Sequence, residues 1–263
     1  MPGKLVLVGS GLSAGLITLR GVREISDADL VYVDSYTSVS LGGSAELIKS
    51  LTGRDLVPLK RGDVEERYFE ILLRPALEGL KVVVVVPGNP LDATTHAALL
   101  VEAGKRGVDF DVVPAPGIIP NALTMSGLML YKMGKVATIT YPRSGAVSEY
   151  AYDVLKDNDS RNLHTPFLTE MDLEKGLVMQ VREAVEILYM VEATRGEGVV
   201  RDSRMAIAVS GLTGESQRIC FKTLGELRGL PDHGGPHTLI VTSPKMHFME
   251  EEAARIISEK YCR

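Results

Sequence analysis

Three stretches of the chain place chemically useful residue types at telling intervals. The first is Gly9-Ser10-Gly11-Leu12-Ser13-Ala14, which satisfies G-x-G-x-x-G/A directly after the apolar run KLVLVG, with Asp34 ending the next apolar run. That spacing is a dinucleotide fingerprint: pyrophosphate on a helix N-terminus and an acid on a ribose hydroxyl. A nicotinamide-dependent oxidoreductase built on Gly9, Gly11, Ala14 and Asp34 is therefore one reading. Gly15 and Gly21 make the supposed helix a poor one, and the alternative is a glycine loop crossing close under a neighbouring strand. The second stretch is Lys81 to His96, KVVVVVPGNPLDATTH. A rigid loop with two prolines, an amide and a carboxylate follows an apolar run there, a place where open α/β sheets bind ligands. The third is His233 and His237, four residues apart. Gly234-Gly235-Pro236 forbids the helix that a metal pair at this spacing would use, so no metal is expected.

The elements that must hold these stretches follow from apolar runs and their breakers. Val82 to Val86 suits a strand buried on both faces in the middle of a parallel sheet. Pro87-Gly88-Asn89-Pro90 stops it, and a helix from His96 to about Lys105 follows, with a threonine as its N-cap. Before it come strands at 4–9, 30–34 and 55–59, helices at 17–25 and 45–51, and a long helix from Asp63 to about Glu78 that Pro75 should kink. A fifth strand covers 109–113. Strict alternation of this kind predicts a parallel five-stranded sheet with right-handed crossovers. After Ala115-Pro116-Gly117-Ile118-Ile119-Pro120 the pattern loosens. Helices are expected at 121–130, 148–156 and 179–193, strands at 137–141, 164–168, 205–209, 218–221 and 237–242, and a last amphipathic helix from Phe248 to about Lys260 with Met249, Ala253, Ile256 and Ile257 inward. The expectation is thus two α/β domains, 1–120 and 121–263, with the boundary between 117 and 137 and a mixed second sheet.

Composition limits the function. The chain has 263 residues, 45% of them hydrophobic, enough for full cores. A net charge of −5 gives no basic face for nucleic acid. The acidic run Glu250-Glu251-Glu252 reads as a solvated helix face. Two cysteines, Cys220 and Cys262, cannot make a disulfide framework and have no C-x-x-C neighbour, so a reducing cytoplasm is the simplest setting. Apolar runs are too short to span a membrane, and the N-terminal run is too short for a signal peptide.

Taken together and in order, VGSGL (8–12), DSYTS (34–38), PGNPLDATTH (87–96), APGI (115–118), YKMGK (131–135), LHT (163–165) and HTLIV (237–241) closely resemble the diphthine synthases, of the tetrapyrrole methylase-like fold. The resemblance implies an S-adenosylmethionine-dependent methyltransferase with a cofactor cleft between two α/β domains. It implies translation elongation factor 2 as the protein substrate, methylated on a modified histidine in diphthamide biosynthesis, and a homodimer. It also implies a cofactor site of Leu12, Asn89, Asp92, Gly117, Ile118, Leu168, Leu212 and His237, with Asp34 and Tyr36 as candidates for holding the acceptor. Most of these are apolar, as an adenine and a methionine chain require; Leu168 and Leu212 read equally as core residues at strand ends. Where the family has Asp in P-G-D-P, this chain has Asn89, and Asp92 stands three positions on to restore the charge. Leu212 replaces a smaller residue. No side-chain nucleophile is implied, since a sulfonium methyl is already activated. A corrin- or porphyrin-precursor methyltransferase of the same fold and a cofactor-sensing module without turnover are the other readings.

Overall fold

The computed structural model describes residues 3–36 and 44–263, so Thr37 and Ser38 of the D-S-Y-T-S segment lie outside the described residues. The chain forms two compact units, Met1–Ile118 and Ile119–Arg263. In the first, the apolar runs become β1 (Lys4–Gly9), β2 (Leu30–Asp34), β3 (Val57–Leu59), β4 (Lys81–Val86) and β5 (Asp109–Val113). Their order is β3-β2-β4-β1-β5, with every neighbouring pair parallel. The valine strand is central, and none of Val82 to Val86 is more than 2% exposed. Because side chains alternate across a strand, Val82, Val84 and Val86 join Leu5 and Leu7 on one face. Val83 and Val85 join Val6, Val8 and Ile25 on the other. Burial of each valine contributes roughly 1.5 kcal/mol, which explains an unbroken β-branched run.

The helices of this unit are α1 (Leu19–Ser26), α2 (Ser44–Thr52), α3 (Arg61–Glu65), α4 (Arg74–Leu77) and α5 (Ala97–Lys105). Three depart from expectation. α1 starts two residues late, because Thr18 caps it by accepting from the Gly21 N–H at 3.0 Å. The helix expected over 63–78 is broken into α3, a wide π-type turn at Phe69–Leu73, and α4 with Pro75 in its first turn; proline has no N–H for the ladder and its ring crowds the preceding turn. The N-cap of α5 is His96, not a threonine, and its side chain makes no capping bond.

The second unit begins with α6 (Ile118–Met125), which starts earlier and stops sooner than expected. Gly127 has φ 82 and lies where any Cβ would meet Ala253, so the helix cannot continue through it. Then follow β6 (Ala137–Ile139), α7 (Tyr150–Ser160), β7 (Thr165–Thr169), the short pair β8 (Met171–Asp172) and β9 (Leu177–Val178), and α8 (Val181–Arg195). After α8 come β10 (Met205–Ser210), β11 (Arg218–Thr223), α9 (Leu224–Arg228), β12 (His237–Val241) and α10 (Phe248–Tyr261). The sheet order is β11-β10-β12-β7-β6. It is mixed: β6 and β7 are parallel, the other pairs antiparallel.

α10 corrects two expectations. Its inward face is Glu250 and Ala254, while Met249 and Ile256 are 49% and 59% exposed. Glu250 is not solvated at all. It accepts from the Met129 N–H (2.9 Å), the His247 N–H (3.0 Å), Lys132 Nζ (3.1 Å) and His164 Nε2 (2.9 Å). A carboxylate with four donors outcompetes methionine for an interior position. The cysteines are the other correction. Cys220 and Cys262 form a disulfide, with Cα atoms 4.8 Å apart. α10 packs along β11, where the Phe221 N–H donates to Ser258 Oγ at 2.9 Å, and its end brings Cys262 over Cys220. Nothing in local spacing announces a pair separated by 42 residues.

Candidate functional site

The glycine loop after β1 and the proline loop after β4 are hydrogen-bonded to each other. Gly11 N–H donates to the Gly88 carbonyl at 3.2 Å, and Gly88 N–H donates back at 2.9 Å. The glycines therefore serve a close crossing and not a helix N-terminus. Ala14–Leu16 is one short 3-10 turn, and the true helix waits until Leu19. Asp34, the supposed ribose acid, is 1% exposed and its Oδ2 lies 3.2 Å from His96 Nε2. The dinucleotide reading fails on both counts.

This crossing gathers five of the eight proposed cofactor positions at the carboxyl ends of the strands. Gly88 has φ 72, and a Cβ there would meet only Leu12, at 3.8 Å, so the loop leaves space above Leu12. Asn89 Oδ1 accepts from the Leu91 N–H at 3.4 Å, and the Asn89 carbonyl accepts from the Asp92 N–H at 3.2 Å. This turn folds Asp92 back over Gly117, where a Cβ would collide with its carboxylate and press on Asn89; Gly117 is thus required by Asp92. Leu12 and Ile118 are half-buried beside them. Burial pushes the Asp92 carboxyl above the usual range, although the side chain keeps solvent access. A carboxylate whose ionised form is penalised in this way gains from a cation placed next to it. Next to it, Ala93 holds a left-handed φ of 52, a strain of about 1–2 kcal/mol that non-glycine residues rarely carry outside functional loops.

Leu168, Leu212 and His237 meet at one end of the second unit's sheet. Leu168 pairs with Thr238 across β7 and β12, and His237 pairs with Ser210 across β12 and β10. Gly211 N–H donates to the Pro236 carbonyl at 2.9 Å and so brings Leu212 beside the start of β12. Leu212 is 2% exposed, Leu168 half-buried. Thr213, adjoining Leu212, has φ 69, a genuine outlier for a β-branched residue. The His237 ring is inside: Nδ1 shares a hydrogen with Ser210 Oγ at 2.8 Å, while Nε2 is buried without a hydrogen-bond partner. Burial, helped by the charge of His233, pushes this imidazole down to about 4, so it is neutral at physiological pH. The His237 carbonyl accepts from Thr169 Oγ1 at 3.0 Å.

Other motifs prove architectural. Lys132 of Y-K-M-G-K and His164 of L-H-T both bind Glu250. The His164 backbone exchanges hydrogen bonds with Gly134 and Lys132, each at 2.8 Å. Gly134 is obligatory because the Asn158 amide occupies the place of its Cβ.

The chain matches the model of the tetrapyrrole (corrin/porphyrin) methylases over residues 4–228. It is 34% identical to the diphthine synthase of Sulfurisphaera tokodaii, over 96% of this chain and 98% of that one. It is 37% identical to the diphthine synthase of Methanopyrus kandleri, over 96% and 95%. A crystal structure of diphthine synthase superimposes with a TM-score of 0.86 at 29% identity, covering 97% and 96% of the two chains. The chain belongs to the diphthine synthase family. It is an S-adenosylmethionine-dependent methyltransferase, as the ordered motifs led one to expect. The residues suit that cofactor. In the first unit Leu12 and Ile118 offer an apolar surface and the exposed Asp92 carboxylate a negative partner for cationic groups; in the second, His237 has a buried nitrogen without a hydrogen-bond partner. Sequence reasoning missed Thr94 and His96, which bond each other beside Asp34. Their only signal was their place at the end of P-G-N-P-L-D-A-T-T-H.

Proposed function

We propose that this methyltransferase acts on the modified histidine of translation elongation factor 2, methylating the α-amino nitrogen of its aminocarboxypropyl group in diphthamide biosynthesis. In this reading the cofactor is held by Leu12, Asn89, Asp92, Gly117, Ile118, Leu168, Leu212 and His237. The observation that carries it is the folding of Asp92 over Gly117, beside Asn89 and Ile118, at the carboxyl end of a parallel sheet, in a chain similar to diphthine synthases over nearly its whole length. Arg143 adds nothing for a tetrapyrrole acid, because Glu170 lies 2.8 Å from its guanidinium.

S-adenosylmethionine supplies an activated sulfonium methyl and leaves as a neutral thioether. What the chain must do is align the amine and exclude water, and positioning of that kind can supply roughly 7–11 kcal/mol of a barrier. Asp92 answers the positive charge, and the neutral His237 ring adds no repulsion. Asp34 and Tyr36 serve the acceptor indirectly. Both are buried, and the Tyr36 N–H donates to Asp34 Oδ1 at 3.0 Å, which sets the backbone at the start of the segment that follows β2. We read the active form as a cytoplasmic homodimer. Among the described residues no helix is long and apolar enough to cross a membrane.

The deciding experiment is mass spectrometry of elongation factor 2 carrying the unmethylated intermediate, incubated with this protein and S-adenosylmethionine. Stepwise addition of methyl groups at the modified histidine is expected; an unchanged mass, with the cofactor bound, would remove this substrate. Calorimetry should show saturable S-adenosylhomocysteine binding and no NADH binding, and the reverse would overturn the cofactor.

A further inference from the structure

His96 is fully buried at the head of α5, immediately after the loop that carries Asn89 and Asp92. Its Nδ1 lies 2.9 Å from Thr94 Oγ1. Its Nε2 lies 3.2 Å from Asp34 Oδ2, close but off the line of a hydrogen bond. A nitrogen lone pair facing a carboxylate at that distance would be repulsive, so Nε2 carries a proton toward Asp34, while Nδ1 shares a hydrogen with the Thr94 hydroxyl. The other Asp34 oxygen takes the Tyr36 N–H. Asp34 thus takes a hydrogen bond from Tyr36 at one oxygen and a close polar contact from His96, at the end of the loop after β4, at the other. Between Asp92 and Thr94 sits Ala93, in its left-handed conformation. Strain of that kind persists only where neighbouring contacts impose it, and Ala93 is flanked by two: the Asp92 N–H to the Asn89 carbonyl on one side and the Thr94–His96 contact on the other.

We propose that His96 is a positioning residue for methyl transfer. Through Thr94 it fixes the loop that presents Asp92, and through Asp34 it locks that loop to the segment at Tyr36. The inference rests on the reading of Asn89 and Asp92 as cofactor residues. Sites of this kind tolerate displacements of about 0.5 Å, so loosening the tie should affect cofactor and acceptor together. A histidine that merely fills the core would affect neither in folded protein.

The test compares His96→Ala, His96→Gln and Thr94→Val. Gln can keep a donor toward Asp34, and Thr94→Val removes only one hydroxyl, so it remains informative where His96→Ala does not fold. S-adenosylhomocysteine affinity is measured by calorimetry well below each variant's melting temperature, and kcat and KM for elongation factor 2 at saturating cofactor. The expected result is affinity about tenfold weaker in His96→Ala, with kcat reduced by a similar factor. His96→Gln should recover part of both, and Thr94→Val should lose affinity severalfold. Native affinity and kcat in every folded variant, with only the melting temperature lowered, would make His96 a core residue and overturn the proposal. Absence of binding by the unsubstituted protein would instead overturn the cofactor assignment beneath it.

Discussion

At the scale of single residues, the chemistry turns on which charges face the cofactor and which protons must move. Asn89 stands where the resemblance implies an aspartate, and Asp92 lies folded back beside it with its carboxyl pushed up by burial. Asp92→Asn should therefore weaken S-adenosylmethionine binding by about 1.5–3 kcal/mol, more than Asn89→Ala, whose neutral contact contributes nearer 1 kcal/mol. Adding Asn89→Asp to Asp92→Asn should restore part of the loss in calorimetry. The sign of the pH effect follows: a cation favours the ionised carboxylate, so affinity should fall as pH drops through the Asp92 titration, and Asp92→Asn should lack that fall. Equal affinities across these variants would mean that Asp92 serves only solvent. Proton removal asks little of the protein. The acceptor amine resembles an α-amino group, titrating near 7.7–8.0, and proximity to a sulfonium favours its neutral form further. Single-turnover methylation should therefore rise with pH through one ionisation. That profile should survive alanine at Cys220, Cys262 or any histidine, His96 included, even where the rate falls. Abolished turnover with intact cofactor affinity in a single His or Cys variant would reveal a catalytic side chain.

At the scale of elements, the Glu250 clamp joins the start of α10 to Lys132 and His164. Hydrogen bonds from Met129, His164, His247 and Lys132 outweigh burial and hold the Glu250 carboxyl down to about 2. Burial also lowers His164, whose Nδ1 accepts from the Ser243 N–H at 2.9 Å. Both groups bind protons more readily in the unfolded chain. Stability should thus decline as pH falls below about 6.5 for the histidine and from about 4.3 toward 2 for Glu250. Glu250→Gln should cost about 1–3 kcal/mol at neutral pH, because it weakens the acceptor shared by Met129, His164, His247 and Lys132, and should flatten the acid limb of a denaturation series; an unchanged limb would place the acid sensitivity elsewhere. This clamp also marks where sequence reading stops. Periodicity revealed the parallel sheet because its apolar runs are short and valine-rich, and those at 4–9, 81–86 and 109–113 stop at Gly or Pro. It misjudged α10 because a triple glutamate looks solvated until its donors, from residues 129, 132 and 164, are known. The proposed cofactor positions came from motif resemblance alone: Leu168 and Leu212 are, by pattern, ordinary strand-end leucines. The tie from His96 to Asp34 is tertiary and has no periodic signal.

At the scale of the whole molecule, two features can be measured directly. We expect a homodimer by sedimentation at micromolar concentration; a monomer alone would refute that. The bond between Cys220 and Cys262 closes a loop with a sequence separation of 42, for which chain-entropy reasoning gives about 4 kcal/mol. Cys262→Ser should lower the melting temperature under oxidising conditions, and strong reductant should bring the parent protein to the same value. A variant as stable as its oxidised parent would show that the bond contributes nothing.

The Glu250 clamp has one more consequence, for the order in which the protein is made. A ribosome adds about 5–20 residues per second, so on the order of 10 s separates the emergence of Val113, the last residue of the parallel sheet, from that of Glu250. The first unit has every strand it needs throughout that interval. The second completes its sheet only when β12 emerges, and even then it lacks the carboxylate that gathers Met129, Lys132 and His164. A nascent chain should therefore carry one finished unit and one unfinished one, with Lys132 and His164 still lacking their shared acceptor, and it is this late half that a chaperone would meet.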